Sequence, residues 1–485
     1  MSQFHPDPYD QYTQFSQLPK LLKRIPFASK MQQCYALSYN SLDYLKLADK
    51  THQKSNVPLP WAVETLALIC INSIENPSCS ANPKIHSQFV KMYNAVWNAV
   101  PNDMLKAGDD FFKFIGATFA QTQFGIQETS IIKYYRYHYI FNYEENGVSI
   151  SSSFRKKFSA SYWEFLQLCE LIMGFFSIKK PLNAALLSRL LSSKFQAVGK
   201  QLCITRDNYI AELRKMTNNS EDISKFLFCV RPSYKYAFIE NNGAWYFPLP
   251  HLLPINVTSS MLYRLTEGDE SLRGLIGKPV LEEYLLSIVK ASNVYDYVHG
   301  EIKYQRNGSE SLSPDVIATI GNDFLFLDSK TFVPLKDLRF FESGAYEKTK
   351  DRYAKNIIQL YNQVLSFSSW YKDLSVSIPL DNDHIWCASV VHEDARLLDQ
   401  EIYSAVNRQL NIGDDSQKAL WIKAHIRIIS LYDAELYCFS SKNLIDGIKT
   451  AFSNSHDFTL TNRELLDFQD RLLGSLEDVA EEVFR

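Results

Sequence analysis

Asp315 opens one short apolar stretch, and Asp328, Ser329 and Lys330 close the next, in the run LSPDVIATIGNDFLFLDSKTF from Leu312 to Phe332. Two carboxylates and an ammonium at one strand end suit Mg2+. That cation is hard, prefers oxygen, keeps several waters and is held by one or two carboxylates plus a substrate phosphate. A metal in such a place lowers the pKa of a bound water and stabilises charge on a phosphate, and a neighbouring lysine can orient or help deprotonate the water. The competing reading is an ordinary hairpin with charged ends, because an Asp-x-Lys triplet by itself is most often a surface ion pair.

The elements that must position these residues are legible in the pattern. Phe324–Leu327 is a continuous apolar run, which suits a strand buried on both faces in the middle of a sheet. Asp328 and Lys330 are two apart and leave that strand on the same face. Val316–Thr319 is the antiparallel partner around a Gly-Asn-Asp turn, and antiparallel pairing brings the start of one strand beside the end of the next. Asp315 and Asp328 are therefore expected as neighbours, with Lys330 close by. Pro314 lacks an N–H, which fits the start of a strand. The stretch GKPVLEEYLLSIV predicts a helix over Pro279–Ala291 with Glu282 and Glu283 in its first turns. A strand near Val294–Gln305 follows it. After the triplet, Tyr346–Trp370 reads as an amphipathic helix whose apolar stripe is Tyr353, Ile357, Leu360, Val364 and Phe367. Arg352, Lys355, Gln359 and Gln363 fall on another face. They are candidate contacts to a phosphate backbone, against the commoner meaning of such a stripe, a plain solvated face.

These residues carry a resemblance. Pro314-Asp315 followed by Asp328-Ser329-Lys330 resembles the motif of the PD-(D/E)xK nuclease superfamily, and Leu281-Glu282-Glu283-Tyr284 resembles its FExY helix with Leu in place of Phe. The resemblance covers about 277–365. It implies a restriction-endonuclease-like core, a mixed sheet flanked by helices in α-β-β-β-α-β order, with the motif on the second and third strands. It further implies Mg2+ or Mn2+ held by Asp315, Asp328 and Glu282, with Glu283 as the alternate, and Lys330 serving the water. Products with a 5′-phosphate and a 3′-hydroxyl follow from the same resemblance. One branch, the RecB-like nucleases, has a QxxxY motif on the helix after the triplet. Here Gln359 is followed at that spacing by Gln363, and Tyr361 is out of register.

The rest of the chain sets bounds. Its 485 residues predict two or three domains. Seventeen glycines, about half the usual share, lean toward helix. Residues 1–225 read as helix after helix, with apolar periodicity in Leu42–Leu47, Ala62–Ile74, Phe89–Val96, Phe111–Phe119, Tyr162–Phe176 and Ala184–Phe195. Residues 226–262 read as a β-hairpin connector around Asn241-Asn242-Gly243. Residues 263–485 interleave helices and strands, including strands at His384–Val391 and His425–Leu431 and a helix at Leu398–Leu410. The predicted class is α+β: a large all-helical N-terminal region for recognition or a partner, then a mixed sheet flanked by helices.

The net charge of −3 neither supports nor excludes nucleic acid, since a basic surface can be local. The start, MSQFHPDPYDQ, has no basic region followed by an apolar core, so no secretory signal is expected. The apolar run Trp61–Ile74 is too short to span a bilayer and contains Glu64. The eight cysteines form no CxxC pair, which points to reduced thiols and a cytoplasmic protein. No GxxxxGK[ST] loop is present for ATP. Arg155, Lys156 and Lys157 are read as a solvated basic loop, and His384 and His392 as structural or surface residues. The function expected is a metal-dependent nuclease acting on DNA, of the restriction or antiphage kind, with a separate partner protein and oligomerisation left open. The alternative is a nucleic-acid-binding or protein-interaction module on the same fold.

Overall fold

A computed structural model describes residues 15–46, 58, 60–74, 85–98, 130–145, 147–177, 184–192, 194–217, 232–306, 308–331, 344–372, 382–395, 397–452 and 458–484. The predicted helix at Phe111–Phe119 and two of the eight cysteines, Cys79 and Cys229, lie outside these residues. The chain is mostly helical with a five-stranded mixed sheet in its second half, an α+β architecture. Contacts divide it into two units: Thr129–Ile150 with Gly268–Arg471, and Met1–Glu128 with Ser151–Glu267 and Leu472–Arg485.

The first of these, the sheet unit, is built on β1 (Tyr297–Gly300), β2 (Val316–Ile320), β3 (Asp323–Lys330), β4 (Ile385–Val391) and β5 (Ile426–Ser430). The strands lie side by side in sequence order. β1–β2 and β2–β3 are antiparallel, and β3–β4 and β4–β5 are parallel. The β2–β3 step needs only a tight turn, and Gly321, at φ 57°, supplies its left-handed residue. The parallel steps need crossovers. Helix α2 (Ala345–Lys372) makes one; α3 (Asp399–Leu410) and the helix Gln417–His425 make the other.

β3 is central because its sequence allows it. Phe324–Leu327 are buried, and each of these side chains contributes roughly 1.5–3 kcal/mol by leaving water. Alternation puts Phe324 and Phe326 on one face, where their rings meet Tyr371 and Phe367 of α2 at 5.8 Å. The predicted stripe of α2, Tyr353, Ile357, Leu360, Val364 and Phe367, is buried as one face.

Helix α1 spans Leu281–Ala291 but does not begin at Pro279 as expected. A π-turn, Ile276–Val280, joins it to the helix Glu270–Leu275 and contains Pro279. Proline cannot donate the regular bond, and the wider turn accommodates the loss. The single strand expected near Val294–Gln305 is two: β1, and Lys303–Arg306 in a separate hairpin with Ser309–Leu312.

The second, helical unit holds Phe27–Lys46, Pro60–Asn72, Ile85–Asn98, Tyr162–Ser177, Ala184–Ser192, Gln196–Leu202 and Arg206–Met216. It also holds a three-stranded sheet in the order Cys203–Thr205, Phe238–Asn241, Ala244–Tyr246. The predicted hairpin is present, with Asn242 and Gly243 at φ 54° and 78°, and it joins this sheet through Cys203–Thr205. Residues 1–225 are therefore not all-helical. They contribute Cys203–Thr205 and a small hairpin of Glu144–Glu145 with Val148–Ser149. Both segments are short enough to escape a periodicity reading. Arg155, Lys156 and Lys157 end a helix, Ile150–Phe158, rather than a loop, because Ile150, Phe154 and Phe158 bury its other face. Among the described residues no helix is long and apolar enough to cross a membrane.

Candidate metal centre

The β2–β3 register pairs Leu327 with Val316, and one step further places Asp328 across from Asp315. Both lie at the end of the sheet where parallel β3 and β4 terminate. Asp315 Oδ2 accepts the Ser329 N–H at 2.6 Å and the Ser329 hydroxyl at 2.9 Å. Lys330 Nζ lies 2.7 Å from Asp328 Oδ2, with side chains 22% and 3% exposed. Asp328 Oδ2 is otherwise buried and accepts no hydrogen bond of good geometry. The triplet therefore alternates roles. Asp328 and Lys330 pair with each other, and Ser329 turns its hydroxyl and backbone to Asp315.

Glu282 comes from the first turn of α1. Burial, and then the charge of Asp315, push its carboxyl up to about 8; Lys278 opposes the rise, and Glu301 and Asp328 add to it. Burial and then Asp315 raise Asp328, against Lys330. Burial raises Asp315, against the two Ser329 hydrogen bonds. Three carboxylates thus feel one another in a partly dehydrated place. Glu283 is engaged elsewhere: its Oε2 accepts from the Tyr143 hydroxyl at 2.6 Å. The structure thereby separates two adjacent glutamates that the sequence leaves as alternates.

Two residues of this neighbourhood escaped the sequence reading. Glu301 immediately follows β1 and adds a fourth negative charge near Glu282 and Asp328. Lys278 stands four residues before Glu282, a spacing that brings side chains together on a helix and was visible in the sequence. Gly277 sets the approach. A Cβ there would lie 2.7 Å from the Thr331 side chain, so the π-turn passes close to the end of β3.

On α2, Arg352, Lys355 and Gln359 are exposed and Gln363 is half-buried. They form one face, away from the buried stripe. His384 Nδ1 bonds Asp323 Oδ1 at 2.8 Å at the opposite end of β3. His392 is buried, and its backbone N–H donates to the Lys330 carbonyl.

The donor set is oxygen only, buried and mutually repelling, which is the chemistry a hard divalent cation relieves. Among the described residues, however, no group of three or more His, Cys, Asp or Glu side chains is placed to hold a metal ion. In this arrangement Ser329 donates to Asp315, and Lys330 pairs with Asp328.

Fold and site together define an α+β protein with an acidic cluster, and Lys330 and Lys278 beside it, at the end of a mixed sheet. No family model matches the chain, and no curated protein or solved structure is found to be similar to it.

Proposed function

We propose that the chain is a metal-dependent nuclease of the PD-(D/E)xK kind, built on a restriction-endonuclease-like core and hydrolysing phosphodiester bonds of DNA. The observation that carries this reading is the convergence of Asp315, Asp328 and Lys330 at one sheet end, with Glu282 from α1 within electrostatic reach. The element order α1-β1-β2-β3-α2-β4 supports it as well. Asp315, Asp328 and Glu282 would hold Mg2+ or Mn2+. When bound, the metal supplies charge stabilisation on the phosphate and a more acidic water. Lys330 then gives up its pairing with Asp328, and its ammonium donates to the attacking water and to a non-bridging phosphate oxygen. The attacking water would give up a proton to solvent as its oxygen bonds to phosphorus, the bond to the 3′ oxygen would break, and that oxygen would take a proton from solvent to leave as the 3′-hydroxyl. Arg352, Lys355 and Gln359 offer donors to the backbone of the duplex. The helical unit recognises a partner protein or a trigger, an arrangement suited to restriction or antiphage defence.

A second reading is favoured by one observation, the absence of a preformed three-ligand group among the described residues. It keeps the fold as a nucleic-acid-binding or interaction module without significant catalysis. Cleavage of supercoiled, linear and single-stranded DNA with Mg2+ or Mn2+ separates the two. Metal-dependent cutting is expected, and Lys330→Ala and Asp328→Ala should each reduce it by about 10²-fold or more. Equal cutting by all three proteins would sink the site. DNA binding without cutting or metal binding would leave the second reading.

A further inference from the structure

Asp315 is seated where the β2–β3 ladder ends. Antiparallel strands exchange two backbone hydrogen bonds at alternate pairs. Two steps beyond the Leu327–Val316 pair, the register sets Ser329 across from Pro314. Proline has no N–H to return a bond, so the exchange cannot be completed there. The Pro314 carbonyl accepts the Ser313 hydroxyl at 2.9 Å instead. The Ser329 N–H turns to the aspartate that follows the proline, and donates to Asp315 Oδ2 at 2.6 Å. The Ser329 hydroxyl brings a second donor to the same oxygen at 2.9 Å.

The backbone before Asp315 is fixed as well. The Ile302 N–H donates to Ser313 Oγ at 2.8 Å, and the Ser313 N–H donates to the Ile302 carbonyl at 2.9 Å. Ser313 is fully buried. These bonds close the root of the separate hairpin, two residues before Asp315. Hydrogen bonds to a carboxylate are roughly twice as strong as neutral ones, so two of them outweigh the rotamer freedom that a short side chain gives up. With its chain clamped and Oδ2 taken by two donors, Asp315 has its other oxygen, Oδ1, to offer a cation.

We propose that Ser329 is a positioning residue of the metal centre: its N–H and hydroxyl hold Oδ2 of Asp315 so that Oδ1 meets the cation. This role rests on the metal-dependent reading proposed above, and it gives a task to the uncharged residue between Asp328 and Lys330. Hydrogen-bond partners behind a ligating carboxylate fix its orientation, and losing one ordinarily weakens metal binding by about 10- to 100-fold. Ser329 touches neither the cation nor the phosphate in this arrangement. Its effect therefore belongs in metal affinity and not in the chemical step.

The test is calorimetric titration of the full chain with Mn2+, beside cleavage of supercoiled DNA over a series of Mn2+ concentrations, for Ser329→Ala, Ser329→Thr and Ser329→Val. Threonine keeps the hydroxyl and valine has nearly the same shape without it, so the two together separate the hydrogen bond from packing. Ser329→Ala and Ser329→Val should weaken Mn2+ by about 10-fold, the low end of the range because the backbone donor remains. Ser329→Thr should restore binding toward that of the parent chain. The cleavage deficit of Ser329→Ala should close as Mn2+ saturates, whereas that of Lys330→Ala should persist. Unchanged Mn2+ affinity in Ser329→Ala overturns the proposal. Equal weakening by threonine and valine overturns it too, as does a cleavage deficit in Ser329→Ala that saturating Mn2+ leaves in place. A parent chain that binds Mn2+ and cuts no DNA overturns the nuclease reading alone, because the Mn2+ titrations still decide the role of Ser329. A parent chain that binds no Mn2+ overturns both.

Discussion

Glu282 and Glu283 are neighbours in sequence with opposite surroundings. Glu283 is satisfied by the Tyr143 hydroxyl, while Glu282 is crowded by Asp315, Glu301 and Asp328. Glu282→Gln should therefore abolish metal binding in a titration with Mn2+, and Glu283→Gln should leave it within about threefold, the scale of a lost surface interaction. The pH dependence follows from the same crowding. The folded carboxyl of Glu282 sits near 8 against an ordinary value of about 4.5, so the folded state holds the extra proton between those limits. In metal-free protein its contribution to stability is present at low pH and is lost as pH rises through about 8. A cation needs the ionised form, so Mn2+ affinity should climb with pH up to about 8. Glu282→Gln should remove the metal-free trend in melting temperature. A wild-type affinity that is flat between pH 6 and 8, taken as roughly the span of the shift, would refute the placement of Glu282.

At the scale of elements, the contact that matters is between the π-turn and the end of β3. Pro279 creates the wide turn, and Gly277 lets it approach Thr331. Gly277→Val should cost about 1–3 kcal/mol through overpacking. It should also weaken metal binding more than a distant substitution of equal cost, because α1 carries Glu282. Thr331→Gly in the same chain should restore both the melting temperature and the metal affinity. Recovery of stability without recovery of metal binding would show that the turn does not position the site.

Across the sheet unit, a buried ion pair ties remote parts of the chain together. Arg136 Nε and Nη2 donate to Glu435 at 2.7 and 2.5 Å, and Tyr284 of α1 donates to the same carboxylate at 2.7 Å. Arg136 and Glu435 are 1% and 0% exposed. Breaking such a pair from one side leaves a buried charge, so Arg136→Met should cost about 3–5 kcal/mol in a denaturant titration. Arg136→Met with Glu435→Leu should recover much of the loss, since the unpaired charge is then gone. This pair also explains why Thr129–Ile150 groups with Gly268–Arg471: the helix Ser130–Phe141 carries the arginine that Glu435 requires.

What the residues alone determined is local. FLFL marked a central strand, Gly321-Asn322 a tight turn, and the parity of Asp328 and Lys330 their shared face, because alternation, turn chemistry and strand pairing act over a few residues. From these the meeting of Asp315 with Asp328 could be read before any coordinates. Tertiary structure decided what depends on distant partners. It separated Glu282 from Glu283 through Tyr143, brought Glu301 and Lys278 to the cluster, and set Ser329 against Asp315. It also joined Arg136 to Glu435 across 299 positions. Burial and charge at those places arise from neighbours far along the chain, and no local pattern records them.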